Sequence, residues 1–396
     1  ALLLVAALGA MTSMHEVHAS VLSEPLFLAC LALVLAALAR RPDDPWRAGI
    51  PAAVAMLTRY AGAALVGATV LWMLVRPGRL RDRLRRATFA ALPAMVLQGA
   101  WVVRTQRLAG TRAIRKIALY GDLGPTFRQG VNTLVAWLVP DALANDADAI
   151  RWRGALAVGA GVALAAMTIH GLWEARVASR GYETPESDTP ARARVAMRTA
   201  TAAALLVVCY LAIVLVSRLL ADPMIPLDER LLAPAILLVT VVIAIGTDWW
   251  LRARRTVPTR AVVVAALLVW WLGAFSATRL EARWALSHGS DFAGEEWRRS
   301  ELLAWARDSA ASRPLYTNWP AAIFFHWHRA SHVLPKRGAS SRELRAFGDT
   351  VRARGAVVLQ FATESAEYVT TKDLLRTGLH LIAELDDGTV WGRRRR

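Results

Sequence analysis

The sequence predicts a mostly α-helical membrane protein: a polytopic body of seven to nine membrane helices over residues 1–280, followed by a small α/β domain over 281–396. Three observations predict this. Hydrophobic residues make up 55% of the 396, with a mean hydropathy of +0.34, above the apolar share of an ordinary soluble domain. The excess falls in runs long enough to approach the roughly 20 apolar residues that cross a bilayer. After Ala277 the runs stop, and short alternating strand and helix patterns replace them.

The apolar runs are Leu26–Leu38, Ile50–Val75, Ala87–Val103, Ala155–Trp173, Ala200–Leu220, Leu231–Ile245 and Ala261–Ala277. Trp46, Trp72, Trp101, Trp249, Trp250 and Trp270 stand at or near run ends, where amphipathic rings favour the headgroup level. The chain starts at Ala1 inside an apolar stretch, with no initiator Met and no basic n-region. It therefore reads as the interior of a longer protein rather than as a signal peptide.

Net charge is +17, and all but three of the 48 basic residues are Arg. They crowd into short loops between the apolar runs, which is how a membrane protein sets its topology and argues against a nucleic-acid partner. Arg40, Arg41 and Arg47 flank one loop; Arg76 to Arg86 fill a second; Arg252 to Arg260 fill a third. These loops are assigned to the cytoplasm, with the polar segment Ala175–Arg198 as a fourth. Thr12–Pro25, Ala221–Arg230 and everything after Thr278 are then expected outside. Cys30 and Cys209 lie in apolar runs and say nothing of redox compartment.

Two places strain this map. Ile50–Val75 has cytoplasmic arginines at both ends yet is too short for two full spans. Two short helices meeting at Thr58-Arg59-Tyr60-Ala61-Gly62 resolve this, with Arg59 facing a cavity or a partner. The segment Arg104–Lys116 carries five basic residues on a side the map calls external.

In the tail, Trp297–Asp308 has helical spacing, Pro314–Thr317 reads as a strand, and Trp319–His328 as a helix or turn. Ser341–Arg354 is helical, and Ala356–Phe361 is an apolar run typical of a buried strand. Leu379–Glu384 and Thr389–Trp391 flank Asp386-Asp387-Gly388, a hairpin signal.

Three segments carry candidate chemistry. Glu24 opens a membrane helix after Ser23, a natural cap, so its carboxylate is either a dipole partner or a functional acid at the boundary. His15, Glu16 and His18 lack the His-Glu-x-x-His spacing of a zinc helix, and no metal is assigned. Asp228, Glu229 and Arg230 precede another membrane helix, where an arginine can anchor the interface or grip a phosphate. Tyr316-Thr317-Asn318-Trp319-Pro320 reads as a structural turn. No P-loop, dinucleotide fingerprint, nucleophile elbow or zinc cysteine pattern is present.

Ser23-Glu24-Pro25-Leu26-Phe27, Leu57-Thr58-Arg59-Tyr60-Ala61-Gly62 and Asp228-Glu229-Arg230-Leu231-Leu232-Ala233-Pro234, in that order and followed by the domain that carries Tyr316-Thr317-Asn318-Trp319-Pro320, resemble bacterial GT-C glycosyltransferases. The similar group is that of dolichyl-phosphate-mannose protein mannosyltransferases and aminoarabinose transferases. The resemblance implies an inverting enzyme of the inner membrane that moves a sugar from a polyprenyl phosphate to a protein, lipid or glycan acceptor on the outer face. Glu24 matches the family's second acidic position, more often Asp, and is the catalytic candidate. Arg59, Tyr60 and Arg230 match donor-phosphate positions, with His18, Asp228 and Glu229 in support. The family's principal acidic loop would precede residue 1. No cofactor is fixed, and a divalent cation is compatible with the resemblance. The competing readings are a transporter, to which broken helices are equally suited, and a polysaccharide polymerase or ligase. The partners expected are the bilayer, the lipid-linked donor and the acceptor.

Overall fold

The computed structural model describes residues 11, 14, 23–109, 124–140, 147–181, 188–220, 227–253, 257–289, 291–362 and 368–393. The chain divides into two compact units, Ala1–Arg279 and Leu280–Arg396.

Unit 1 is helical. Its described elements are α1 (Glu24–Arg40), α2 (Pro45–Thr58), a 3-10 turn (Tyr60–Gly62), α3 (Ala63–Val75), α4 (Leu80–Ala109) and α5 (Gly124–Leu138). They continue with α6 (Ala147–Ser179), α7 (Thr189–Leu220), α8 (Glu229–Ala253) and α9 (Val257–His288), whose last residues belong to unit 2. Among the described residues, α4, α6, α7, α8 and α9 are long and apolar enough to cross a membrane. The shared core is built from Phe27, Leu31 and Leu38 of α1, Ala52 of α2, Leu65 and Met73 of α3, Leu206 and Tyr210 of α7 and Leu238 of α8. Apolar side chains elsewhere point outward, with Val162 64% and Val262 68% exposed. An outward apolar surface of this extent needs an apolar solvent.

The run Ile50–Val75 is broken at Arg59–Gly62, as its sequence predicts. Arg59 closes α2 in an extended conformation, φ −150°, ψ 145°. Gly62 then lies against the backbone of α2: a Cβ there would stand 2.3 Å from Met56 N, so no larger residue fits without moving the turn. The far ends of the two helices meet again. Trp72 Nε1 donates to Pro42 O at 3.2 Å, and Arg76 reaches Asp43 at 3.1 Å. The segment is therefore an antiparallel hairpin, with Arg59 at its tip and Asp43, Asp44 and Arg76 at its base.

The arginine-rich loops gather at the base end. Arg86 pairs with Asp43 at 2.8 Å, which brings the start of α4 there, and the end of α1 feeds into the same loop. On α8, Arg230 and Arg252 are 22 residues apart, roughly 33 Å at the helical rise. Since Arg230 lies beside Glu24 of α1, Arg252 falls at the opposite end, where Arg260 Nε donates to Leu251 O at 3.1 Å.

Two readings of this unit need correction. Most of Ala175–Arg198 is helix, since α6 runs to Ser179 and α7 starts at Thr189. Arginine and alanine are good helix formers whether or not the face they present is polar. Ser23 does not cap α1 through its side chain: its backbone is already helical (φ −80°, ψ −9°), and a capping side chain needs an extended one. Helix α5 was not foreseen, because Arg128, Gln129 and Asn132 interrupt its apolar positions. Near the C-terminal end of α4, Arg104 lies 5.2 Å over the Trp101 ring. Arg112, Arg115 and Lys116 lie outside the described residues.

Unit 2 is a layered α/β domain. It contains α10 (Glu295–Arg298), α11 (Glu301–Ser309), β1 (Leu315–Thr317), α12 (Pro320–Trp327), β2 (His332–Val333) and α13 (Ser341–Ala353). After these come β3 (Val357–Phe361), α14 (Thr371–Leu374), β4 (His380–Leu385) and β5 (Gly388–Gly392). The sheet order is β2-β1-β3-β5-β4, parallel for β2, β1 and β3 and antiparallel for β5 against both neighbours. β3 buries both faces: Val357, Leu359 and Phe361 meet Leu302 and Ile323, while Val358 meets Leu344 and Val351. That explains its unbroken apolar run.

The segment Trp297–Asp308, read as one helix, is two. Ser300 Oγ donates to Asp387 and accepts from Leu303 N at 3.0 Å, and Leu302 N donates to Asp387 Oδ1 at 3.0 Å. The hairpin's Asp387 thus braces the start of α11 through Ser300 and Leu302 N. The Tyr316–Pro320 turn is structural in geometry: Asn318 is buried and exchanges two 2.9 Å hydrogen bonds with the backbone of Phe361.

Candidate functional site

Three helix ends of unit 1 bring the charged candidates together. Glu24 is the first residue of α1, Arg59 lies at the hairpin tip, and Arg230 is in the first turn of α8. The Glu24 carboxylate is paired directly with Arg59, and the same Oε1 stands 3.7 Å from Arg230 Nε. Burial falls across the group: the side chains are 7% exposed for Glu24, 20% for Arg59 and 40% for Arg230. One shielded carboxylate faces two guanidinium groups, one of them open to an incoming ligand.

The surroundings fix this arrangement. The Asp228 carboxylate accepts from Leu231 N at 2.8 Å, so it caps α8, the helix whose first turn carries Arg230. Tyr210 of α7 is 1% exposed and donates from its hydroxyl to Leu231 O at 2.6 Å. It lies within electrostatic range of Arg59, Glu24 and Asp228, and its ring packs 6.1 Å from Phe27. Tyr210 thereby joins the opening turn of α8 to α1. Sequence reasoning missed it, since a tyrosine inside Val207-Val208-Cys209-Tyr210-Leu211 carries no signal without knowing what faces it. Thr133 of α5 donates to Leu227 O at 2.9 Å, and Gln129 accepts from Leu227 N at 3.2 Å, which ties the approach to Asp228.

Tyr60 is 78% exposed beside Arg59. Glu229 is half-buried at the start of α8. His18, like His15 and Glu16, lies outside the described residues. Among the described residues, no three His, Cys, Asp or Glu side chains are grouped to hold a metal ion.

In chemical terms the site can grip an anion. Arginine presents planar paired donors matched to phosphate or carboxylate oxygens. Glu24 holds Arg59 in place and is itself a carboxylate at the boundary of the apolar body. Comparison with family models, with curated proteins and with solved structures found no match to this chain.

Proposed function

We propose that this protein is a membrane glycosyltransferase that moves a sugar, with inversion, from a polyprenyl-phosphate donor to an acceptor on the extracytoplasmic face. The observation that carries the reading is the ion cluster of Glu24, Arg59 and Arg230, assembled from the ends of three separate helices. A sugar phosphodiester carries one negative charge. As the anomeric C–O bond breaks, charge builds on the leaving lipid phosphate, and two guanidinium groups held in a low-dielectric setting stabilise that build-up. The acceptor hydroxyl attacks from the opposite face and gives its proton to a carboxylate. Glu24 serves as the second acid of the site, and it balances the arginines until the phosphate arrives.

The membrane topology fits this reading. Among the described residues, α1, the two arms of the hairpin and the five long helices make eight membrane helices in this reading. The arginine-rich base faces the cytoplasm of a bacterial inner membrane, so the Glu24 cluster and the C-terminal unit face outward. The broken hairpin with charges at its tip also suits a carrier, and one assay separates the two. Reconstituted with a polyprenyl-phosphate sugar and a mixed acceptor fraction, the full-length protein is expected to release polyprenyl phosphate. Arg230→Ala should lower that release at least about tenfold, and Arg230→Lys should recover part of it, because a point charge cannot make the paired contact. Sugar flux without cleavage of the donor would establish the carrier instead. A reporter fused after Arg396 should be active only outside the cytoplasm.

A further inference from the structure

The base of the hairpin holds a shallow pocket, open to the surface, that the proposed reaction does not use. It measures about 280 Å³ and lies where the end of α3 meets the first third of α7. Its walls are of two kinds. Arg76 and Arg198 supply guanidinium groups, while Val75, Met197 and the Trp72 ring supply apolar surface.

The charge around it is unbalanced. Arg76 donates to both Asp43 oxygens at 3.1 and 3.2 Å, and Arg86 donates to Asp43 Oδ1 at 2.8 Å. Arg198 acts on the same carboxylate through space. Three guanidinium groups thus share one carboxylate. Arg198 has a single hydrogen bond among the described residues, from Nε to Arg194 O at 3.2 Å, so its terminal nitrogens remain available for an anion. The hydrogen bonds from Arg76 and the nearby positive charges hold the Asp43 carboxyl below its usual range, so it stays charged and keeps Arg76 in place without neutralising all three.

We propose that this pocket binds the phosphate of an anionic glycerophospholipid from the leaflet on the Asp43 side, with Arg198 and Arg76 on the phosphate. The head of the acyl region runs along Val75, Met197 and Trp72. Basic pockets between membrane helices on the cytoplasmic side recognise anionic headgroups in this way. The volume admits a phosphate and glycerol rather than a whole lipid. The apolar wall has no use for a soluble phosphate, and it lies at the end of an apolar helix, where a lipid's own polarity changes. Trp72 is fixed there by its bond to Pro42 O. The lipid would brace the base of the same hairpin whose tip carries Arg59. Naming this leaflet cytoplasmic rests on the sidedness proposed above; the binding itself does not.

The test is thermal melting of the full chain in detergent with added short-chain phosphatidylglycerol, phosphatidylcholine or inorganic phosphate. Phosphatidylglycerol should raise the midpoint by several degrees, and the other two should not. Arg198→Gln, which spares the Arg76–Asp43 pair, should abolish the shift. Met197→Trp, which fills the pocket without touching charge, should abolish it as well, and both variants should melt near the parent in the absence of lipid. Equal shifts with phosphatidylcholine, or a shift retained in both variants, would overturn the proposal. Inorganic phosphate reproducing the shift would make this a free-anion site and reject the lipid. No sugar transfer enters the measurement, so its result is independent of the proposed activity.

Discussion

The two ends of the α2–α3 hairpin use the same chemistry in opposite settings. At the tip, one carboxylate meets Arg59 and Arg230; at the base, one carboxylate meets Arg76 and Arg86. The difference is water. Glu24 is 7% exposed and Asp43 is 56% exposed. Coulomb attraction at the base is screened and worth little. At the tip it is strong, but so is the cost of leaving one member unpaired. The base can therefore be read as a solvated clamp, and the tip as a poised site in which removing any charge strands another.

The largest expected effect follows directly. Glu24→Ala leaves Arg59 without its partner beside an apolar core. It should cost about 2–3 kcal/mol, somewhat less than a fully buried pair because Arg59 is partly open. Asp43→Ala should cost about 1 kcal/mol or less. Denaturation of both variants in one detergent tests the ranking, and equal costs would break the comparison. Glu24→Gln keeps the shape and should reduce donor cleavage while remaining folded.

Gly62→Leu sharpens the comparison from the backbone side. The new side chain would collide with the backbone of Ala55 and Met56, so the tip must open and carry Arg59 away from Glu24. We expect donor cleavage to fall about as far as in Glu24→Gln, while the Trp72–Pro42 contact at the base survives. Cysteine cross-linking between positions 43 and 76 reads the base independently of the tip.

The smallest effects concern pH and salt. Hydrogen bonds from Arg76 lower the Asp43 carboxyl, so its contribution is present above the ordinary carboxylate range and is lost as pH falls below it. In unit 2, the Thr370 backbone N–H lowers Asp373 in the same sense, and the cap of α14 should weaken over the same acid range. The Asp43 part should shrink in high salt because it is exposed, whereas the stability cost of Glu24→Ala should barely change. Melting curves at low and high salt, above and below that range, check both.

How far the sequence revealed this depends on the type of signal. Apolar runs mark membrane-type helices because length and hydropathy are local properties, and an arginine in the middle of Ile50–Val75 marks a break because lipid cannot hold it. Helix α5 escaped because its apolar residues are diluted, and the polar 175–198 segment was misread because charge locates the membrane without deciding backbone conformation. Glu24, Arg59 and Arg230 could be singled out by their positions at run boundaries. Tyr210 could not, since its role depends on Leu231 O across an interface. The Asp43 clamp was hidden for the same reason: its partners are 33 and 43 residues away.

The sheet order of unit 2 has a consequence for how the protein is made. β5 follows every other described element of the chain, yet it lies inside the sheet, between β3 and β4. Until it arrives, β4 has no neighbour, α11 lacks the Asp387 brace, and the parallel strands have an open edge. Such late, long-range closure folds slowly and exposes pairing edges in the meantime. This unit stays unfinished until the β4–β5 hairpin has been made, and its assembly waits on that hairpin. Changes at Asp387 or Val390 should therefore reduce the yield of mature protein more than they reduce the stability of what matures.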